Sequence, residues 1–432
     1  MLGSRRILAL ALLCAGLLPL AAAADEASQQ DVQEQLMIMQ QRMRRMEDQL
    51  AEAQRRAPPP AEPQKDCFFC SIEFEGWVAA SYMWNFRGFN PGIEGQDLGG
   101  VNAGAGFYPF HPDHNSFQVD QVWMGMERPT SEEERAGFRL DFVIGKTGDI
   151  LNGGNDGFSG SFQDFHMYQA FIQYLAPVGS GVKFKFGKFA TLLGAEVAQA
   201  KANFNITRGN VYNLLQPITH TGVLATMTPW EDGTASFGVV DETRSFTSRD
   251  IDLNNNKALT WQLGQQFSEA VFASFNGVWG DADSGAGFDA PDGEKEIILD
   301  WVVTYNPTEK FASWVNVDYL KNQGGSGYDG YGIAAAGRYA LTERMGVAGR
   351  AEWVDLDFAG DDLQVFGLTG TLDYTLTSNL TVRGELRWDS ASGSPDEQFF
   401  TSSNASRGFP GSGLRLNTDD QVVAGVEVIY AF

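Results

Sequence analysis

LTVRGELRWD, residues 380–389, decides the fold. One parity of this stretch reads Leu380, Val382, Gly384, Leu386 and Trp388, and the other reads Thr381, Arg383, Glu385, Arg387 and Asp389. A β-strand sends alternate side chains to opposite faces, so one face here is apolar and the other charged. The same alternation recurs at 138–145, 182–187, 297–305, 311–319, 331–339, 347–353 and 422–432. Where these segments carry paired charges, as in Arg139/Asp141, Lys183/Lys185 and Arg350/Glu352, the charges keep to one parity. Strands that are apolar outward and polar inward, repeated along a chain, form the pattern of a transmembrane β-barrel.

Connection lengths support this reading independently. The short joins RPTSEEERAG, APVGS, PWED, FSEA, NPTEK, ALTE and LTSN alternate with longer stretches near 87–114, 149–164, 189–220, 242–256, 281–293, 322–327, 358–361 and 392–417. Turns on one rim and loops on the other are the layout of an outer-membrane barrel. With both termini on the turn side the strand number is even, and about sixteen strands, within a range of 14–18, fit residues 72–432. The sheet must close, because unpaired backbone groups are not tolerated in hydrocarbon. At this size the interior has room for an aqueous channel. The chain ends on VVAGVEVIYAF (422–432), and an alternating strand that finishes on Phe resembles the assembly signal of bacterial outer-membrane barrels.

Composition sets further limits. The 432 residues hold 31 Lys and Arg against 55 Asp and Glu, a net charge of −24, which argues against nucleic acid as a partner. After the leader there is no apolar run long enough for a membrane helix. Residues 1–24 read as a signal peptide: Arg5 and Arg6, an apolar run from Ile7 to Leu20, then Ala22, Ala23 and Ala24. Cys14 falls within that leader. In residues 25–56, Val32, Leu36, Met39, Met43, Met46, Leu50 and Ala53 alternate at spacings of four and three, as in a coiled coil. A single amphipathic helix is the alternative. A Pro-rich linker (57–71) follows, and within it Cys67 and Cys70 flank two Phe residues. In an oxidising compartment they are candidates for a disulfide. No His follows Cys70, so this is not a c-type haem attachment.

Several stretches resemble the β-barrel porin-2, or OmpL-like, family of bacterial outer-membrane proteins. The most similar runs from Gly187 to Val223, with GKF at 187–189, LGAE at 193–196 and NFNITR at 203–208. Others are DLNNNKALTWQLG (252–264), YNPTEKFASWVNVDY (305–319) and RYALTERMGVAGRAEW (338–353). The resemblance implies an outer-membrane porin-like barrel over residues 72–432. The heptad segment and the Cys pair are not features it accounts for.

The expected function is a water-filled channel in a Gram-negative outer membrane, passing small hydrophilic solutes or ions passively, with no cofactor and no catalytic step. The alternative is a structural barrel anchored to the cell wall through a periplasmic stalk. Expected partners are outer-membrane lipid and two further copies of the chain, in a homotrimer. The loop 189–220 exceeds the usual length of a plain connection, and Lys188, Glu196, Lys201, Arg208 and His220 are candidates for a pore constriction. A loop packed outside on the rim is the alternative. Residues expected to face the lumen are Arg139, Asp141, Lys183, Lys185, Asp300, Asp318, Arg338, Arg350, Glu352, Arg383, Glu385, Arg387, Asp389 and Glu427. Asp250, Asp252, Asn254 and Asn256 form a weak candidate for calcium, and an Asn-rich turn explains them as well. None of His111, His114, His166 and His220 lies beside a recognisable nucleophile motif.

Overall fold

The alternating segments pair edge to edge until the last meets the first. A computed structural model describes residues 68–86, 110–111, 115–151, 165–244, 256–281, 295–323, 329–358, 361–393 and 420–432. Sixteen antiparallel strands form a closed barrel, each pairing with its neighbours in sequence and the first pairing with the last. They are β1 (Glu73–Asn85), β2 (Ser116–Arg128), β3 (Ala136–Ile144), β4 (Phe165–Ala176), β5 (Val182–Ala190), β6 (Thr219–Met227), β7 (Gly233–Val240) and β8 (Ala258–Ser268). The second half comprises β9 (Val271–Asp281), β10 (Lys295–Thr308), β11 (Phe311–Asn322), β12 (Asp329–Ala340), β13 (Met345–Phe358), β14 (Asp361–Thr375), β15 (Leu380–Gly393) and β16 (Asp420–Ala431). Among the described residues two short α-helices interrupt the connections, α1 (Lys146–Leu151) and α2 (Asn210–Leu215). Residues Phe69–Phe432 form one compact unit. The expected signal peptide, the coiled coil and most of the linker, Cys67 included, lie outside the described residues. Cys70 is disulfide-bonded.

The terminal Phe is part of the seam. Its N–H donates to the Gly76 carbonyl at 2.9 Å, and the Gly76 N–H donates back to the Phe432 carbonyl at 3.1 Å. Closure thus uses the backbone groups that would otherwise form two free edges. On one rim the connections are short, down to residues 269–270 and 309–310. On the other they are longer, except that the link from β13 to β14 shrinks to 359–360.

The outer face follows the expected parity. Leu386 is 55% exposed and Val426 51%, whereas Arg387 and Glu427 beside them are 1% and 0%. Exposed aromatic side chains gather at both ends of the wall. Tyr174, Tyr305, Tyr339, Tyr374 and Tyr430 ring the turn end, and Trp84, Phe117, Trp279, Tyr331 and Trp388 ring the loop end. Aromatic girdles bounding an apolar band are what the two interfaces of a bilayer select.

Two bulges re-aim side chains. In β2, Ala79 pairs with Gln121 and Ala80 with Val119, so Asp120 is the extra residue. In β4, Asp141 pairs with Gln169 and Phe142 with Met167, which leaves Tyr168 extra. Both bulges put two adjacent residues inside, where plain alternation allows one. Near the second, Gly187 has φ of +129°, and a Cβ there would stand 2.3 Å from the Ala170 carbonyl oxygen. Gly187→Val is therefore expected to cost about 1–3 kcal/mol in backbone strain alone. Heat-modifiable electrophoretic mobility, which separates folded from unfolded barrels, would show a reduced folded fraction. Wild-type folding would mean that the β4–β5 pair can shift to make room.

Candidate functional site: a loop held across the barrel

The segment 191–218, between β5 and β6, enters the barrel and meets strands on the opposite wall. One side of it is apolar. Leu193, Val211, Leu214 and Leu215 join Leu224, Val278, Ile298, Leu320 and Val354 in a buried cluster between the loop and the inner wall. The loop therefore has a hydrophobic reason to fold inward, because these inward-facing wall residues would otherwise be wetted.

The other side is pinned by charges from β13 to β16. Arg350 donates to Glu196 Oε1 at 2.7 Å and to the Thr207 carbonyl at 2.6 Å. Glu385 accepts from the backbone N–H groups of Ile206 at 2.6 Å and Thr207 at 3.0 Å, and from the Thr207 hydroxyl at 2.6 Å. Arg387 donates to the Arg208 carbonyl at 2.7 Å and to Asn210 Oδ1 at 2.9 Å. Arg383 donates to the Asn203 and Ala200 carbonyls while also pairing with Glu427. Glu352 accepts from the first N–H groups of α2, those of Asn210 and Val211. Most of these charge-assisted bonds go to main-chain groups of the loop, and so satisfy backbone buried away from water. Gly209 sits where no side chain fits: a Cβ would stand 2.5 Å from Glu352 Oε2 and 2.7 Å from Glu196 Oε2.

Amides complete the ring of ties. Gln216 donates to Asp318 at 2.7 Å and to Asn316 Oδ1 at 2.9 Å, and the Ala195 N–H also donates to Asn316. Gln121 donates to the Ala198 carbonyl at 2.6 Å, and its Oε1 accepts from the Ala200 N–H and from Trp77 Nε1. Trp77 stacks on Trp123 with ring centroids 5.0 Å apart, inside the barrel. From the next long connection, Arg244 pairs with Glu296 at 3.0 Å and donates to the Leu214 carbonyl of α2.

All the residues expected to face the lumen lie on inner faces, but most do not meet water. Asp141, Asp300, Asp318, Arg350, Glu352, Arg383, Glu385, Arg387, Asp389 and Glu427 are buried. Asp300 and Asp318 oppose each other across β10 and β11. Arg338 is part-exposed and paired with Asp373. Nearer the turn rim the inner face stays open. Arg139 bridges Glu75, Glu127 and Asp141, and Lys201 reaches Glu75 at 3.2 Å over the face of Trp77. Lys183 and Lys185 are part-exposed and have no ion-pair partner among the described residues.

The five constriction candidates stand at different places in and beside the loop. Glu196 and Arg208 are buried struts of the loop. Burial pushes the Glu196 carboxyl up, against the opposing pull of Arg350 and the Gly209 N–H. Lys188 is buried with its Nζ 3.4 Å from His166, and His220 lies 3.2 Å from the Thr191 hydroxyl. Lys201 alone of the five leaves a third of its side chain, 35%, to the inner space. The reason is the apolar packing under the loop, which draws the neighbouring polar groups out of water. Of the calcium candidate only Asn256 is described. Sequence reasoning missed Glu75, Asp120, Gln121, Gln216 and Asn316. Gln121 and Asp120 were hidden by the bulge in β2.

The comparisons with known proteins agree with this architecture. Residues 71–432 match the family described as "Putative beta-barrel porin-2, OmpL-like". The chain belongs to that family. Porin-2 membership together with the closed barrel places the protein in the outer membrane of a Gram-negative cell. Among solved structures, Salmonella typhi OmpF in complex with daunomycin aligns with a TM-score of 0.55 at 8% identity, covering 84% of this chain and 97% of that one. The trimer form of Vibrio cholerae OmpT aligns with a TM-score of 0.53 at 12% identity, covering 84% and 99%. The anion-selective porin from Comamonas acidovorans gives 0.52 at 11%, covering 84% and 99%. At such identities the likeness is one of fold. A search of curated proteins finds no match.

Proposed function

We propose that this porin-2 protein passes small hydrophilic solutes or ions by passive diffusion, with the loop 191–218 setting the size limit. The observation that carries this reading is the loop itself, held across the lumen at fixed points by Glu352, Glu385, Arg350, Arg383 and Arg387. A rigid obstruction narrows an aqueous path without any moving part, and no cofactor or covalent step enters. Selectivity then arises on the turn side, where charges stand part-exposed on the inner wall. Arg139 and Lys201 are offset by Glu75 and Glu127, whereas Lys183 and Lys185 have no ion-pair partner among the described residues. Fixed charges in a narrow passage bias the ions that cross, so a mild anion preference is proposed. The proposed assembly is a homotrimer in outer-membrane lipid, with the heptad segment 25–56 on the periplasmic side and the cell wall as its partner there.

Recording in planar bilayers under a KCl gradient tests this. The wild type should give a steady current with a reversal potential on the chloride side. In Lys183→Glu/Lys185→Glu the chloride-to-potassium permeability ratio should fall at least about twofold. A wild type that carries no steady current would favour the anchor reading, and an unchanged ratio would remove these lysines from the path.

A further inference from the structure

Phe110 and His111, in the connection after β1, lie inside the barrel beside the seam strands. Donor atoms of His111, Asp120 and Glu427 there come within 4.8 Å of one another, and all three side chains are buried. His111 Nε2 is 3.7 Å from Asp120 Oδ1. The loop ties described above use none of His111 and Asp120.

Among the described residues the hydrogen bonding of this cluster is one-sided. Asp120 Oδ1 accepts from the Ser81 hydroxyl at 2.9 Å and from Gln118 Nε2 at 2.5 Å, while its Oδ2 is buried without a partner. Glu427 Oε2 accepts from Arg383 Nε at 2.7 Å, while its Oε1 is bare. Among the described residues neither ring nitrogen of His111 has a hydrogen-bond partner, nor does Gln118 Oε1. Buried polar atoms are almost always satisfied, so several bare acceptors converging at one place need a cause. Carboxylates with one oxygen held by neighbours and the other free are oriented as metal ligands are, with outer partners fixing the first. The bulge in β2 is what turns Asp120 inward.

We propose that His111, Asp120 and Glu427 bind one divalent transition-metal cation such as zinc. One imidazole nitrogen with two carboxylate oxygens suits such an ion, and Gln118 Oε1 or water can supply a further ligand. Calcium would need more oxygens than the cluster offers, and magnesium keeps most of its water. The nearby guanidinium groups of Arg208, Arg383 and Arg387 oppose a cation, but all three are engaged, Arg387 with Asp389 and Glu352. Arg383 holds the outer oxygen of Glu427, and Arg208 lies 4.9 Å over Phe110 and donates to the carbonyls of Val197 and Ile206. The bound ion would clamp Phe110–His111 to β2 and β16, next to the strut residue Arg208.

Full-length protein in detergent, stripped with a chelator, is titrated with Zn²⁺ by calorimetry and with Co²⁺ by visible absorption. One equivalent should bind, and Co²⁺ should develop the absorption bands of a low-coordinate site. His111→Ala and Asp120→Asn, each checked for a folded barrel by heat-modifiable mobility, should weaken binding at least about tenfold. No stoichiometric binding, or wild-type affinity in both folded variants, overturns the site. If the variants do not fold, X-ray absorption of the zinc-loaded wild type decides: imidazole nitrogen among oxygen ligands supports the assignment, and sulfur or oxygen alone overturns it.

Discussion

Replacing Arg387 by alanine should lower the unfolding free energy by about 3–5 kcal/mol, the range for removing one partner of a buried ion pair. The Arg387 side chain is fully buried and spans two groups of partners. On the wall it pairs with Asp389 at 2.9 Å and Glu352 at 3.3 Å. On the loop it holds the Arg208 carbonyl, Asn210 Oδ1 and the Thr207 hydroxyl. Alanine removes the guanidinium shared by two buried carboxylates and takes away three loop contacts together. Arg387→Lys should recover only part of the loss, because an ammonium cannot span partners that a planar fork reaches together. Unfolding in denaturant with detergent measures the stability, and hydrogen exchange at the Ile206, Thr207 and Asn210 amides reads the loop. Wild-type stability together with unchanged protection would mean that the struts are dispensable.

Leu386→Arg, one residue away and on the opposite face, should be nearly as costly for a different reason. Leu386 is 55% exposed within an apolar outer band bounded by aromatic girdles. In water an exposed Leu-to-Arg change is close to neutral. On the lipid face of a barrel near the bilayer midplane it costs about 2–4 kcal/mol. The two environments therefore predict opposite outcomes for one substitution. Folding into lipid vesicles, followed by electrophoretic mobility across a denaturant series, should show the loss, and a neutral result there would contradict a lipid-facing wall.

How much could be read from the sequence follows from how regular each part is. From β11 to β16 the pairings run without a register shift, so the charges of 380–389 and the apolar face of 422–432 stand where alternation puts them. The wall is less regular in β2 and β4, where bulges place Asp120 with Gln121 and Tyr168 with Gln169 on the inside. The large aromatics Trp77 and Trp123 also run against a simple rule, since they are buried inside rather than facing lipid. The loop announces itself by length, and its polar residues are visible in the sequence. What they pair with is not: Glu196 and Arg350 lie 154 residues apart, and only closure of the barrel brings them together. Nor does sequence reveal that the apolar side of the loop has an inner wall to pack on, which is why residues expected to border water are struts.

The account rests on the loop 191–218 standing in the path through a lipid-embedded barrel, and single-channel recording of the wild type beside a variant with residues 198–208 excised and rejoined by a short Gly-Ser link tests it most directly. The account predicts a small steady conductance for the wild type and a several-fold larger one for the excised form in the same bilayer. Equal conductances in the two folded proteins would contradict it.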